Sequence, residues 1–264
     1  MALLQLVTDL SASDWVAAGV GPFGSGVGAL VPRGFEAYAR ILHPALTRAG
    51  APVRWDAIAR WSGGVAHPMA QFEPLARRRP GRSTEPAPFY EAPPSGNMAQ
   101  PLLGALCEIL AGHTTTADRC WFGLWEGYGW VSGGVSVDAL ASPGSGKHEP
   151  IPPAFGRATT IVPRVRLPGR GYLLFEGPLA GIAEMGWWMD GRLVSPQSPN
   201  LFWPDDRAWF AATEIDLDST FVGGSAALIN EVLQDPRLEA WPSSPTDEVW
   251  ATSDEINGLD GLDR

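Results

Sequence analysis

Carboxylates and aromatic rings gather in two stretches of this chain, and together they can hold a sugar, a cation or a basic partner. In the first, Glu126 stands among Trp125, Tyr128 and Trp130. In the second, Trp203, Asp205, Asp206, Arg207 and Trp209 lead on to Glu214, Asp216 and Asp218. Rings stack on sugar faces, and two acids can divide the acid and base roles of glycoside cleavage. Acids at every second position of a strand share one face, which suits a divalent cation if His43 or His67 joins them. The same residues also describe an interface, with Tyr and Trp at its core and charges at a rim that favours basic partners. Glu126, Tyr128, Trp130, Trp203, Asp205, Asp206, Arg207, Glu214, Asp216 and Asp218 are therefore the candidate binding residues. A solvated acidic rim around core aromatics is the plainer reading of the same letters.

No catalytic signature accompanies them. Gly19, Gly21 and Gly24 spell G-x-G-x-x-G, but Pro22 sits inside the turn. Ala29-Leu-Val-Pro32 reads as a strand where a dinucleotide loop needs a helix. Ser132 and Ser136 lie among glycines without a Gly-x-Ser-x-Gly elbow, and Ser142-Pro-Gly-Ser-Gly146 lacks the strand-to-helix setting. His43, His67, His113 and His148 are scattered singly, with no His-Glu-x-x-His. Cys107 and Cys120 make neither a disulfide framework nor a zinc site and read as buried thiols. No catalytic residue, metal ligand or cofactor is assigned.

A formal charge of −10 argues against nucleic acid as a partner for the whole surface. Arg77-Arg78-Arg79, with Arg82 close by, is the one dense basic run, and it lacks interleaved aromatics. The first residues carry no basic leader, and no stretch approaches the ~18 apolar residues of a membrane span. A cytoplasmic protein with no membrane partner is the expectation. Gly and Pro make up about a fifth of the 264 residues, which with twelve Trp points to a loop-rich globular chain.

The elements that must position the candidates are legible from periodicity. A strand is predicted from Arg207 to Asp218, with Ile215 and Leu217 on one face and the three acids on the other. Gly223-Gly224 ends it, and Ser225 caps a helix with the stripe Leu228, Ile229, Val232 and Leu233. Cys120–Val131 opens as a strand with Trp121 and Trp125 on one face and Phe122 and Leu124 on the other, hence central in a sheet. Tyr128 and Trp130 would then lie exposed at its end. A second helix spans 97–112, capped by Asn97, and a third lies over 53–61, stopped by Gly63.

Further strands are expected at 27–31, at 35–42 as a half-buried strand, at 161–167 as an edge, and at 171–176. A hairpin over 186–194 turns at Asp190-Gly191. Residues 73–96 and 132–156 read as long Gly/Pro-rich loops. Strands and helices do not alternate, so the fold class is α+β: a mainly antiparallel twisted sheet with two or three packed helices. Residues 1–242 form one such domain, and 243–264 an acidic, poorly ordered tail to which Val249-Trp250 adds a docking point.

The segments Val31–Glu36, Ile41–Pro44, Cys120–Gly129, Phe202–Trp209 and Phe221–Ser225 together resemble a family of actinobacterial proteins that carries no assigned activity. The resemblance spans most of the chain and implies one conserved domain, with no chemistry attached. On function, the reading is a soluble, non-catalytic binding or accessory module that offers an acidic, aromatic-bordered surface to a protein or peptide. The alternative is a hydrolytic or metal-assisted enzyme, carbohydrate-active among the options, built on the clustered carboxylates. An enclosed pocket holding two of those acids and a histidine favours the enzyme; acids spread round an open aromatic patch favour binding.

Overall fold

The computed structural model describes residues 3–81, 84–133, 154–155, 161–189 and 191–258. The chain opens with β1 (Gln5–Leu6) and α1 (Asp14–Gly19), then β2 (Ala37–Leu42). A small hairpin, β3 (Ala45–Leu46) and β4 (Pro52–Val53), precedes α2 (Trp55–Ser62) and α3 (Phe72–Ala76). The long helix α4 (Gln100–Gly112) leads to β5 (Cys120–Trp125) and the single turn α5 (Gly129–Ser132). Next come β6 (Val165–Leu167), β7 (Arg170–Gly177) and the hairpin of β8 (Gly186–Met189) and β9 (Arg192–Pro196). The last run is β10 (Leu201–Pro204), β11 (Phe210–Thr213), β12 (Ser219–Gly224), α6 (Ala226–Gln234) and β13 (Ala240–Ser243).

Nine strands make one antiparallel sheet in the order β1, β7, β5, β10, β11, β12, β2, β13, with β6 also paired to β7. β1 and β6 share the outer edge of β7, pairing with opposite halves of it. The α+β class is thus the observed one, and no helix among the described residues is long and apolar enough to cross a membrane.

The sheet is buried on both faces because alternate residues of its central strands are apolar in both directions. On one face a row crosses seven strands, from Leu6 through Phe175, Phe122, Phe202, Ala211 and Val222 to Ala39. Leu103, Leu106 and Leu110 of α4 and Leu228 and Val232 of α6 cover that row. On the other face the row runs from Glu176 through Trp121, Trp203 and Phe210, covered by Val16, Val27, Leu30, Val31 and Val249.

The three helices predicted from spacing are the three longest found. Ser225 caps α6 by accepting from the Leu228 N–H, and Gly63 closes α2 in the left-handed region. Asn97 does not cap α4: its side chain instead bonds the Ser198 N–H and the Pro196 carbonyl, so it ties two loops together. Residues 27–29 form a 3-10 turn rather than a strand. β2 is buried on both faces, not one, since Arg40 is held in the interior.

Gly223-Gly224 marks the end of β12 as expected, but both residues are still paired in the strand, with Tyr38 and Ala37. A Cβ on Gly223 would lie 2.6 Å from the Phe35 ring and one on Gly224 would lie 2.5 Å from Leu228, so close packing explains the pair. The 73–96 loop opens inside a helix, α3, anchored by the buried Leu75. The 186–194 hairpin forms as expected; Asp190 of its turn lies outside the described residues, as do His148 and most of 132–156.

Residues 243–258, expected as part of a loose tail, are packed on the body. Val249 is buried in the core, and Ser253, Asp254 and Asn257 are buried against the α2–α3 region. Residues 259–264 lie outside the described residues.

Candidate functional site

The ten candidate residues divide between opposite ends of the sheet. Glu126, Tyr128, Trp130, Glu214, Asp216 and Asp218 lie where β5 and β11 end and β12 begins. Trp203, Asp205, Asp206 and Arg207 lie at the other end, where β10 turns into β11. The strand predicted to Asp218 stops at Thr213, and Glu214 to Asp218 form the turn of the β11–β12 hairpin. The three acids therefore do not share a strand face. Glu214 is buried, while Asp216 is 65% exposed.

Each acid at the first end is paired with arginine, Glu214 and Asp216 sharing one and Glu126 taking two. Arg170 donates to Glu214 from Nε at 2.8 Å and to Asp216 from a terminal nitrogen at 2.7 Å. Asp218 lies 3.6 Å from the guanidinium of Arg40. Glu126 takes one bond from Arg164 at 3.0 Å and one from Arg166 at 2.6 Å. Burial pushes the carboxyl of Glu214 up from the ordinary range, with Arg170 opposing, and does the same to Asp218 against Arg40. These carboxylates are internal counter-ions more than a free acidic face.

Tyr128 is half-buried, not exposed. Its hydroxyl donates to the Gly96 carbonyl at 3.0 Å and accepts from Gln197 and Asn200, and burial pushes its pKa up to about 12. Trp130 stacks on Tyr128 with 6.0 Å between ring centres.

The histidines do not join the acids. The Nδ1 of His43 lies 2.8 Å from the Pro94 carbonyl, which only accepts, so Nδ1 carries the proton. Nε2 then accepts from the Thr220 hydroxyl at 3.0 Å, and Thr220 accepts from Thr213 at 2.7 Å. His67 instead meets Asp254 at 2.8 Å. Among the described residues no group of three or more His, Cys, Asp and Glu side chains is placed to hold a metal.

Burial lowers the His43 pKa from its ordinary 6.5 to about 4. The unfolded chain therefore takes up a proton at this residue as the pH falls through 6.5, and the folded chain does not until about 4. The contribution is complete above 6.5 and lost by 4, with a size of about 3 kcal/mol. In urea denaturation, His43→Gln is expected to be the less stable at pH 7, with the gap to wild type narrowing by about 2 kcal/mol at pH 5. A gap independent of pH would remove His43 from this role.

The second end is more open. Asp206 caps the Thr114–Thr116 loop, accepting from the Thr115 N–H at 2.8 Å and from the hydroxyls of Thr114 and Thr115. Burial acts to raise its pKa, but these bonds together hold it below the carboxylate range. Asp205 accepts from the Trp121 indole at 3.1 Å and lies 3.5 Å from Arg119, which also bonds Glu176 at 2.8 Å. Trp203 is a core residue, stacked on Phe210.

Arg207 is the one non-glycine residue with positive φ among the described residues, at +57°. Its N–H closes the hairpin loop on the Pro204 carbonyl at 2.9 Å. Its guanidinium lies 5.5 Å from the centre of the Trp15 ring and makes no ion pair among the described residues. A groove of about 350 Å3 runs past it, lined also by Arg119 and Trp121 and by the carboxylates of Asp9, Glu176 and Asp205.

No protein-family model, curated protein or solved structure matches this chain. Its site must therefore be read from geometry alone. Arg40, Arg119, Arg164, Arg166 and Arg170, which organise both ends, are not among the residues selected from sequence. Arg164 and Arg166 stand two apart, one before and one within β6, and converge on Glu126. The basic run 77–79 is spent locally: Arg77 on Glu73, Arg78 over Trp61 and Arg79 on Asn257.

Proposed function

We propose that this chain is a non-catalytic binding module, and that the groove beside Arg207 takes a carboxylate-bearing segment of a protein or peptide. The observation that carries this is Arg207 itself. An L-residue in the left-handed region costs roughly 1–2 kcal/mol where glycine would cost nothing, so its side chain gives a reason for its presence. The guanidinium rests on Trp15 and has no ion-pair partner among the described residues, at the rim of a groove of ligand size. A planar fork with free donors is suited to a carboxylate. The spread of the candidate acids to opposite ends, most of them bound to internal partners, weighs against a two-carboxylate enzyme.

Arg207→Gly separates binding from folding. It relieves the backbone and loses one stacked contact, so the melting temperature is expected to stay within a few degrees of wild type. Binding to an array of peptides with free carboxylates is expected to fall roughly 10-fold or more, as for loss of a charge-assisted hydrogen bond. Equal retention by wild type and variant, or of acidic and amidated peptides alike, would overturn the assignment.

A further inference from the structure

At the opposite strand ends from the Arg207 groove, on the same face of the sheet, a narrow cavity of about 20 Å3 lies beneath the loop 21–28. Its walls are apolar, chiefly Leu30, Leu201 and Ala212, and its polar end is Tyr172, Arg170 and Glu214. That volume holds one water. Tyr172 is only 5% exposed, yet its hydroxyl makes no hydrogen bond among the described residues.

Glu214 gives one oxygen to Arg170, and its other accepts only a long bond from the Asp216 N–H at 3.3 Å. The Asn200 amide, also on the wall, spends both N–H donors on Tyr128 and Thr213, and its oxygen accepts from the Trp125 N–H. One donor and one acceptor thus stand open at the end of an apolar slot, with the buried carboxylate already balanced by Arg170.

The roof is Phe23, 47% exposed, with its ring 4.8 Å from the Arg170 guanidinium and 5.6 Å from Trp250. The base of its loop is fastened. Gly21 and Gly28 bond at 2.7 Å, and Val27 and Gly28 bond the carbonyls of Asp247 and Pro245. The tip is held by ring contacts and by the Trp250 indole on the Gly24 carbonyl at 3.1 Å.

We propose that this cavity is the closed form of a second binding site, for a small uncharged molecule with an aliphatic body and a hydroxyl or primary-amide head. Such a head accepts from Tyr172 and donates to Glu214 at once. A carboxylate head would face Glu214, and an ammonium head would compete with Arg170 for it. The proposal goes beyond the Arg207 groove and does not depend on it.

The test is a methyl NMR titration of the full chain with 1-butanol, butyramide, butyrate and butylammonium. Saturable shifts at Leu30, Leu201 and Ala212 are expected for the first two and not for the charged pair. Phe23→Ala is expected to tighten binding several-fold by removing the roof. Tyr172→Phe keeps the ring and deletes a hydroxyl that makes no hydrogen bond among the described residues, so it is expected to melt like wild type and to bind roughly 10-fold more weakly. Arg207→Gly is expected to leave these titrations unchanged. No saturable shift in either wild type or Phe23→Ala would overturn the proposal, as would equal binding of all four heads or binding indifferent to Tyr172→Phe.

Discussion

Replacing Arg40 with Met is expected to destabilise the protein by about 3–5 kcal/mol, the usual cost of breaking a buried charge pair from one side. The residue is only 3% exposed, and almost all its donors are engaged. Nε donates to the Ser219 hydroxyl at 2.9 Å, and one terminal nitrogen to the carbonyls of Pro68 and Ala70 at 3.0 and 2.8 Å. The other faces Asp218 at 3.6 Å, and the guanidinium lies 5.6 Å from the centre of the Trp55 ring.

Burial lowers the Arg40 pKa to about 10, so it stays charged at neutral pH, and its removal leaves Asp218 and two carbonyls without their cation. The same side chain joins β2 to the loop between α2 and α3, so the loss is felt in both. Arg40→Met with Asp218→Asn is expected to recover part of the loss, because the second change removes the orphaned charge. Urea denaturation of the two single variants and the double variant measures the coupling. A single variant within 1 kcal/mol of wild type, or strictly additive effects, would refute the role.

Truncation after Ser243 is expected to be harsher, leaving a chain that does not reach the native fold. The removed segment buries Val249, worth about 1.5–3 kcal/mol. It also supplies Asp254, which accepts from the Gln71 N–H at 2.9 Å and from His67 at 2.8 Å, and Asn257, which bonds both backbone groups of Val65. Each of these hydrogen bonds contributes about 0.5–1.5 kcal/mol, and about 1–3 where the donor is buried, as the Gln71 N–H is. Together these approach the 5–15 kcal/mol that holds a typical domain together. A chain ending at Gly258 keeps every one of these contacts and is expected to melt like the full chain. Soluble, cooperatively melting protein from the shorter chain would show that the docking is incidental.

What the sequence conveyed and what it concealed follow from how far each partner lies along the chain. Helices α2, α4 and α6 declare themselves within ten or so residues, through stripes and glycine or serine boundaries. Arg40 looks like the wet side of a strand because its partners, Ser219, Asp218, Pro68 and Ala70, are distant in the chain. The alternation Glu214, Asp216, Asp218 imitates a strand, since a turn of five residues between two strands can carry the same period. Gly223-Gly224 reads only as the end of a strand until Phe35 and Leu228 are known to press on it. The candidate acids were visible as residues, but whether they were free depended on Arg170, Arg164, Arg166 and Arg119, none of them close in sequence to the acids they serve.

The margins of the sheet limit how any partner can approach. On one side the outermost strands are β1, of two residues, and β6, of three; on the other it is β13, with Pro242 in its middle. Neither margin presents a long row of free amide and carbonyl groups on which another chain could extend the ladder. Self-templated stacking through the main sheet is thereby disfavoured at both sides. Among the described residues, a partner that adds a strand finds an exposed edge at the β8–β9 hairpin, where β9 pairs on one side only, and not on the main sheet.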